Sequence, residues 1–227
     1  MYALRLSDLI FSVAESSNSM KSKTFWIVLC LTCFGCDSRD NSTAIVALTD
    51  RSSELESLPR VAYPEFVNWS KFPVESSVNR RKVVSNTSGE VVVTTKVWLQ
   101  SKAEDNVSVG SQITVKRPEL PIVENEPDFA KFPATFRLPK GLTEEQFYLP
   151  SAKAKETGKD VVKVGEKEFE ATVYQWTESS EAGPTSVKLW RSNEVPGRFL
   201  RQEMITKGIE TTSIEEVIEI SLGSDPS

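Results

Sequence analysis

Hydrophobic positions in this chain follow two regimes. From Phe25 to Phe34 they run almost unbroken, behind Lys21 and Lys23 and ahead of Gly35-Cys36. From Val78 onward they alternate with polar positions, the period-two signature of strands with one buried face. Between the regimes, Asp37 to Tyr63 is dominated by Ser, Thr, Asp, Arg and Glu and has no aromatic residue before Tyr63. Such a composition buries too little apolar area to order itself, and reads as a tether. The short run Ala44 to Leu48 is the one place in it where a stray strand is the other reading.

The first regime has the layout of an export signal: basic start, short apolar middle, small residue at the cut. Its apolar middle is too short for a membrane-spanning helix, which needs about 20 residues. Residues 1–36 are therefore read as leader and signal, 37–63 as tether, 64–222 as the domain and 223–227 as a tail. Ahead of the signal, Met1 to Ser19 holds only a weak apolar stretch around Leu9 to Val13. Met20-Lys-Ser-Lys is the more natural signal start, with a long leader from Met1 as the alternative.

The second regime predicts strands. In Glu90 to Ser101, Val91, Val93, Thr95, Val97 and Leu99 share one face, behind a turn cluster at 85–89. Val107 to Lys116 follows another turn at 103–106. A hairpin is expected over Asp160 to Thr177 around Gly165-Glu166-Lys167, then strands at 186–191, 198–205 and 212–222. Val195-Pro196-Gly197 suits a type II turn, because Pro presets φ and Gly accepts a positive φ. Pro64 to Trp69 fits one helical turn opened by proline. Thr143-Glu-Glu-Gln146 fits a capping box, and Ser151 to Thr157 reads as a second short helix ending at Gly158. Prolines at 118, 121, 127, 133 and 139 exclude regular structure from most of 117–140. The fold expected is mainly β, with α+β as the alternative. It is a single antiparallel meander of about eight strands, strongly curved or a half-barrel, with a small helical insertion near 143–157.

Composition narrows the chemistry. The 227 residues include no histidine and three cysteines, Cys30, Cys33 and Cys36, all inside the signal. Histidine triads, imidazole bases and His-ligated zinc are excluded, as are thiolate chemistry and disulfides in the domain. Net charge is −5, and Arg80-Arg81-Lys82 is the longest basic run, which argues against nucleic acid. Glu124, Glu126 and Asp128 alternate, but without an EF-hand pattern they read as a solvated loop. Sequons at Asn41, Asn68, Asn86 and Asn106 read as chance behind such a signal.

Gly35-Cys36 after the apolar run resembles the signal of bacterial lipoproteins. The resemblance implies that Cys36 receives a diacylglycerol and becomes the N-terminus, so the partner at this end is a membrane. An ordinary cleaved signal, with Cys36 incidental, is the alternative. A second resemblance covers most of 64–222. Trp69-Ser-Lys-Phe72, Gly165-Glu-Lys-Glu-Phe169 and Trp190 ahead of Val195-Pro-Gly197 are similar to uncharacterised secreted proteins and lipoproteins of planctomycete-type bacteria. It implies a shared fold and no activity.

The residues that remain as candidates for ligand binding are aromatic. If the aliphatic faces form one surface, the other carries Trp98, Tyr174, Trp176 and Trp190. Either the helical insertion and Trp69 cover that surface, or it is a concave site for an apolar ligand such as an acyl chain. Catalysis is not expected: Glu144/Glu145 and Glu215/Glu216 are sequence neighbours that splay apart in a helix or strand. The expected role is a structural or interaction module of the cell envelope with no cofactor. An envelope protein or an apolar small molecule is its partner.

Overall fold

The computed structural model describes residues 56–87, 89–180, 182–208 and 211–224. The signal, Cys36, the Ala44 to Leu48 run and the tether as far as residue 55 lie outside them. Chain order begins β1 (Arg60–Ala62), α1 (Pro64–Trp69), β2 (Ser77–Asn86), β3 (Gly89–Lys102) and β4 (Asn106–Lys116). Then come β5 (Val123–Glu124), β6 (Asp128–Pro133), β7 (Thr135–Arg137) and α2 (Glu144–Tyr148). The remainder is β8 (Lys155–Val164), β9 (Lys167–Ser180), β10 (Gly183–Arg191), β11 (Phe199–Thr206) and β12 (Thr211–Ser221).

Two antiparallel meanders, β2–β4 and β8–β12, are joined edge to edge by pairing of the last strand with the first long one. The result is a ten-stranded sheet ordered β5-β4-β3-β2-β12-β11-β10-β9-β8, with β6 also paired to β4. Its eight long strands are those the alternation predicts. Although three strands separate β8 from β12 in the ladder, their Cα atoms approach within 8 Å. A flat sheet would hold them about 19 Å apart, so this wing is rolled. It does not close into a barrel among the described residues, since no ladder joins β8 to β12.

Most of the proline-rich stretch 117–140 lacks regular structure, as expected, and the rest supplies β5, β6 and β7. Its prolines fall between these strands or at the end of one, where no ladder donor is needed. The expected helix at 151–157 is absent: Ala154 N–H bonds to the Ser151 carbonyl at 2.9 Å in a turn, and β8 begins at Lys155. Gly158 serves a bulge in the β8–β9 ladder, with φ 146, rather than a helix cap. The helical insertion is thus α2 alone. Its capping box forms, with Thr143 N–H on Gln146 Oε1 at 3.0 Å and Gln146 N–H on Thr143 Oγ1 at 3.2 Å.

The core gathers Trp69, Val78, Val97, Leu99, Val109, Leu200 and Val217 with Ala171, Val173 and Trp190. β1 pairs with β7 outside the main sheet. That small ladder is tied to α2 by rings: Tyr63 lies 5.3 Å from Phe136, and Phe136 stacks on Phe147 at 5.6 Å. Those contacts deliver Tyr148 to the place described next.

Candidate functional site

Directly opposed residues of an antiparallel pair share a face, so the register decides where the four candidate aromatics go. Tyr174 lies opposite Leu189 and Trp176 opposite Val187, on the face that Val93 of β3 also occupies. Trp190 lies opposite Val173 and Arg201, on the other face, which it shares with Trp98 by the same chain of pairs. The structure therefore does not bring the four together. Trp190 is buried, and its Nε1–H donates to Asp160 Oδ2 at 3.0 Å. Trp98 is half-buried over Gly110, donates to Gln100 Oε1 at 2.9 Å, and meets Phe129 edge-on. Trp176 donates to Glu178 Oε1 at 2.8 Å. Trp190 borders a small pocket of about 300 Å³ beside Asp160 and Arg201, and Tyr174 reaches a larger cavity.

That cavity is built from α1 outward. Pro64 opens the helix at its first position, where a missing N–H costs nothing, and the helix buries Pro64, Asn68 and Trp69. The Asn68 side chain clamps the β10–β11 loop. Its Oδ1 accepts from Gly197 N–H at 2.6 Å, and its Nδ2 donates to the carbonyls of Val195 at 3.2 Å and Asn193 at 3.4 Å. The clamped turn is the expected one: Arg198 N–H bonds to the Val195 carbonyl at 2.9 Å and Gly197 has φ 75. A β-carbon at Gly197 would press on Arg80 and Trp69 at 3.2 Å. With Asn68 sealed in this way, its sequon is closed to glycosylation in the folded domain.

Between α1, this loop and strands β8–β10 lies an open cleft of about 680 Å³. Thr172, Tyr174 and Arg191 line it from the sheet, Pro64, Val67 and Lys71 from the α1 segment, and Asn193, Glu194 and Arg198 from the loop. Asn68, Tyr148, Lys159, Glu170 and Ser192 complete it. Tyr148 Oη donates within a group formed by the Ala62 carbonyl at 3.1 Å and Glu144 Oε1 at 3.2 Å. Desolvation first, and then Glu144, push its pKa up.

Cations dominate the lining. Lys159 pairs with Glu170 at 2.5 Å, and Arg198 with Glu65 at 2.9 Å. Arg191 has no carboxylate within 4.0 Å among the described residues, and its Nη1 donates to the Tyr148 carbonyl at a long 3.4 Å. Desolvation, followed by repulsion from Arg198, brings its pKa down to about 10. A second half-buried guanidinium, Arg80, lies 4.0 Å from Glu215 and stacks 4.4 Å over Phe199, and desolvation lowers its pKa too. The carboxylate pairs weighed in the sequence do not converge: Glu215 and Glu216 oppose Gln202 and Arg201, on opposite faces. No group of acidic residues suited to a metal occurs among the described residues, and Glu124 is engaged by Gln112 at 2.6 Å. Sequence reasoning found Tyr174 but missed Arg191 and Asn68. Arg191 carried one usable signal, a charged residue ending an aliphatic strand beside an obligatory turn.

No family model and no curated protein matches the chain. Its fold is similar to that of a protein classed as exported, with a YmcC-like fold, from Bacteroides fragilis. The TM-score is 0.41 at 9% identity, over 66% of this chain and 98% of that one. It is also similar to a protein classed as a lipoprotein from Parabacteroides distasonis, with TM-score 0.40, 9% identity, and coverage of 66% and 97%. MucB of Pseudomonas aeruginosa, in complex with MucA, gives TM-score 0.35 at 8% identity, over 73% of this chain and 58% of that one.

Proposed function

We propose that this protein is an extracytoplasmic module of the cell envelope, held at a membrane by a lipid on Cys36 and acting by association rather than catalysis. The export side rests on the Lys21 to Cys36 signal and on a cysteine-free, mostly antiparallel β domain behind a polar tether. The observation that carries the non-carrier side is the fate of Trp190, which is buried in the core and hydrogen-bonded to Asp160. An acyl-chain carrier on the four aromatics needs them on one open face, and the register divides them two and two. Non-convergent carboxylates, together with the lack of any histidine, favour binding over acid–base chemistry.

The test is fractionation of the full chain and of Cys36→Ser, each expressed in a bacterium with an outer membrane. The native chain should pellet with membranes, resist a salt wash and come away in detergent. Its mature N-terminus should carry the mass of a diacylglyceryl group, while Cys36→Ser should be free of both properties. Equal partition of the two chains into the soluble fraction would refute the anchor.

A further inference from the structure

We propose that the cleft between α1 and β8–β10 binds a small organic anion, with Arg191 as the principal contact to its carboxylate or phosphate. The inference stands whether or not Cys36 carries a lipid.

Its size fits: about 680 Å³ falls within the 300–1,000 Å³ usual for small-molecule sites. So does its charge. Four cations line it, Lys71, Lys159, Arg191 and Arg198, against the two carboxylates Glu170 and Glu194. Glu170 is taken by Lys159, and Arg198 is taken by Glu65 from outside the lining. Arg191 and Lys71 are left without a carboxylate within 4.0 Å among the described residues, facing a single free acid.

Arg191 is the sharper of the two. A guanidinium carries five donors in a fork that matches a carboxylate or phosphate edge. Here one long bond to a backbone carbonyl is its hydrogen bond among the described residues. Withdrawing a cation part-way from water with so little compensation is costly, and its lowered pKa, which Glu65 offsets only in part, records that cost. A ligand anion would restore what the protein withholds. Beside it, the hydroxyls of Thr172 and Tyr174 have no hydrogen-bond partner among the described residues, and both line the cleft. Pro64, Val67 and the Tyr174 ring offer an apolar wall to the ligand's body. The site is also preformed, because Asn68 locks the loop that contributes Arg198.

The full chain in detergent micelles, titrated by calorimetry at constant ionic strength, tests this with two probes, succinate and inorganic phosphate. Saturable binding with one site per chain is expected for at least one probe, half-saturated in the millimolar range or tighter. Succinate alone assigns an organic acid, phosphate alone a phosphoryl group, and each supports the proposal. Arg191→Gln should weaken binding at least tenfold, and Tyr174→Phe and Lys71→Ala a few-fold each. Arg81→Gln, on the other face of the sheet, should bind as the native chain does. No saturable binding of either probe overturns the proposal, as does native affinity in Arg191→Gln. Should Arg191→Gln fail to fold, native affinity in both Tyr174→Phe and Lys71→Ala overturns it instead.

Discussion

The two sides of α1 differ in how they treat polar atoms. On the core side, Trp69 clusters with Val78, Leu99 and Leu200, and at the border with the cleft the fully buried Asn68 has both its amide oxygen and its nitrogen bonded. In the cleft itself, at the end of β10, Arg191 keeps its charge with one long hydrogen bond. The same small domain satisfies a neutral amide three times over and leaves a guanidinium almost unserved. Interiors built for stability pair their polar groups; a site that awaits a ligand leaves the pairing to it. The contrast predicts substitutions of opposite sign in the core and in the cleft.

The largest effect belongs to the core. Leu200 is fully buried, so Leu200→Ala removes its apolar contacts and leaves a cavity, a loss of about 2–5 kcal/mol. Urea denaturation followed by circular dichroism checks it, and a loss below about 1 kcal/mol would mean that this side of α1 is not closed. Next comes Asn68→Ala, which strands the Gly197 N–H, while the Val195 carbonyl keeps the Arg198 N–H as a donor. One unsatisfied group of this kind costs about 1–3 kcal/mol, and a loss in that range is expected. Protease cutting within 192–198 should rise with it.

Arg191→Met should do the reverse and raise stability at neutral pH by about 1–3 kcal/mol, as replacing a poorly compensated buried ion by an apolar chain often does. The pH dependence follows from the direction of the shift. Arg191 holds its proton with a folded pKa of about 10, below its ordinary value. Between those values the unfolded chain binds more protons, so this residue makes stability rise with pH there. The difference in melting temperature between native chain and variant should therefore narrow as pH climbs through 10. A variant as damaged as Leu200→Ala would place Arg191 among the structural residues and erase the contrast.

How much of this was readable beforehand divides along the same line. Everything set by neighbours in sequence was there: the alternation behind the eight long strands, the Pro196-Gly197 turn, the Thr143–Gln146 capping box. Alternation also says which residues of one strand share a face. It does not say which face meets which across a ladder, because a one-residue change of register inverts the relation. One surface carrying Tyr174, Trp176 and Trp190 together is the expectation, whereas the β9–β10 register sets Val187 and Leu189 opposite Trp176 and Tyr174 and sets Trp190 opposite Val173. The cleft was harder still. Asn68 and the turn it clamps are 129 residues apart at Gly197, and Arg191 meets Tyr148 across 43, separations at which no local pattern operates. Ladder pairing likewise overrode local signals at 155–158, where a helix-like stretch became β8.

The smallest effect lies on the face away from the cleft, and it separates a satisfied polar contact at the margin from one in the interior. Asp160 is exposed, yet its Oδ2 accepts from the buried Trp190 indole at 3.0 Å and its Oδ1 from the Val161 N–H at 2.8 Å. The indole bond first, and then the backbone bond, hold its pKa below the ordinary carboxylate value. A carboxylate whose folded pKa is depressed adds stability above its unfolded pKa and loses it as pH falls through the folded one. Asp160→Asn keeps an acceptor for the indole but cannot titrate. Near neutral pH the variant should melt slightly below the native chain, by less than any substitution above, and the two curves should converge below about pH 4, the ordinary carboxylate range. A gap that persists unchanged into acid would mean that the Asp160 charge contributes nothing to holding Trp190. The Asp160–Trp190 link would then add nothing to the packing of Trp190 with Ala171 and Val173 in the core.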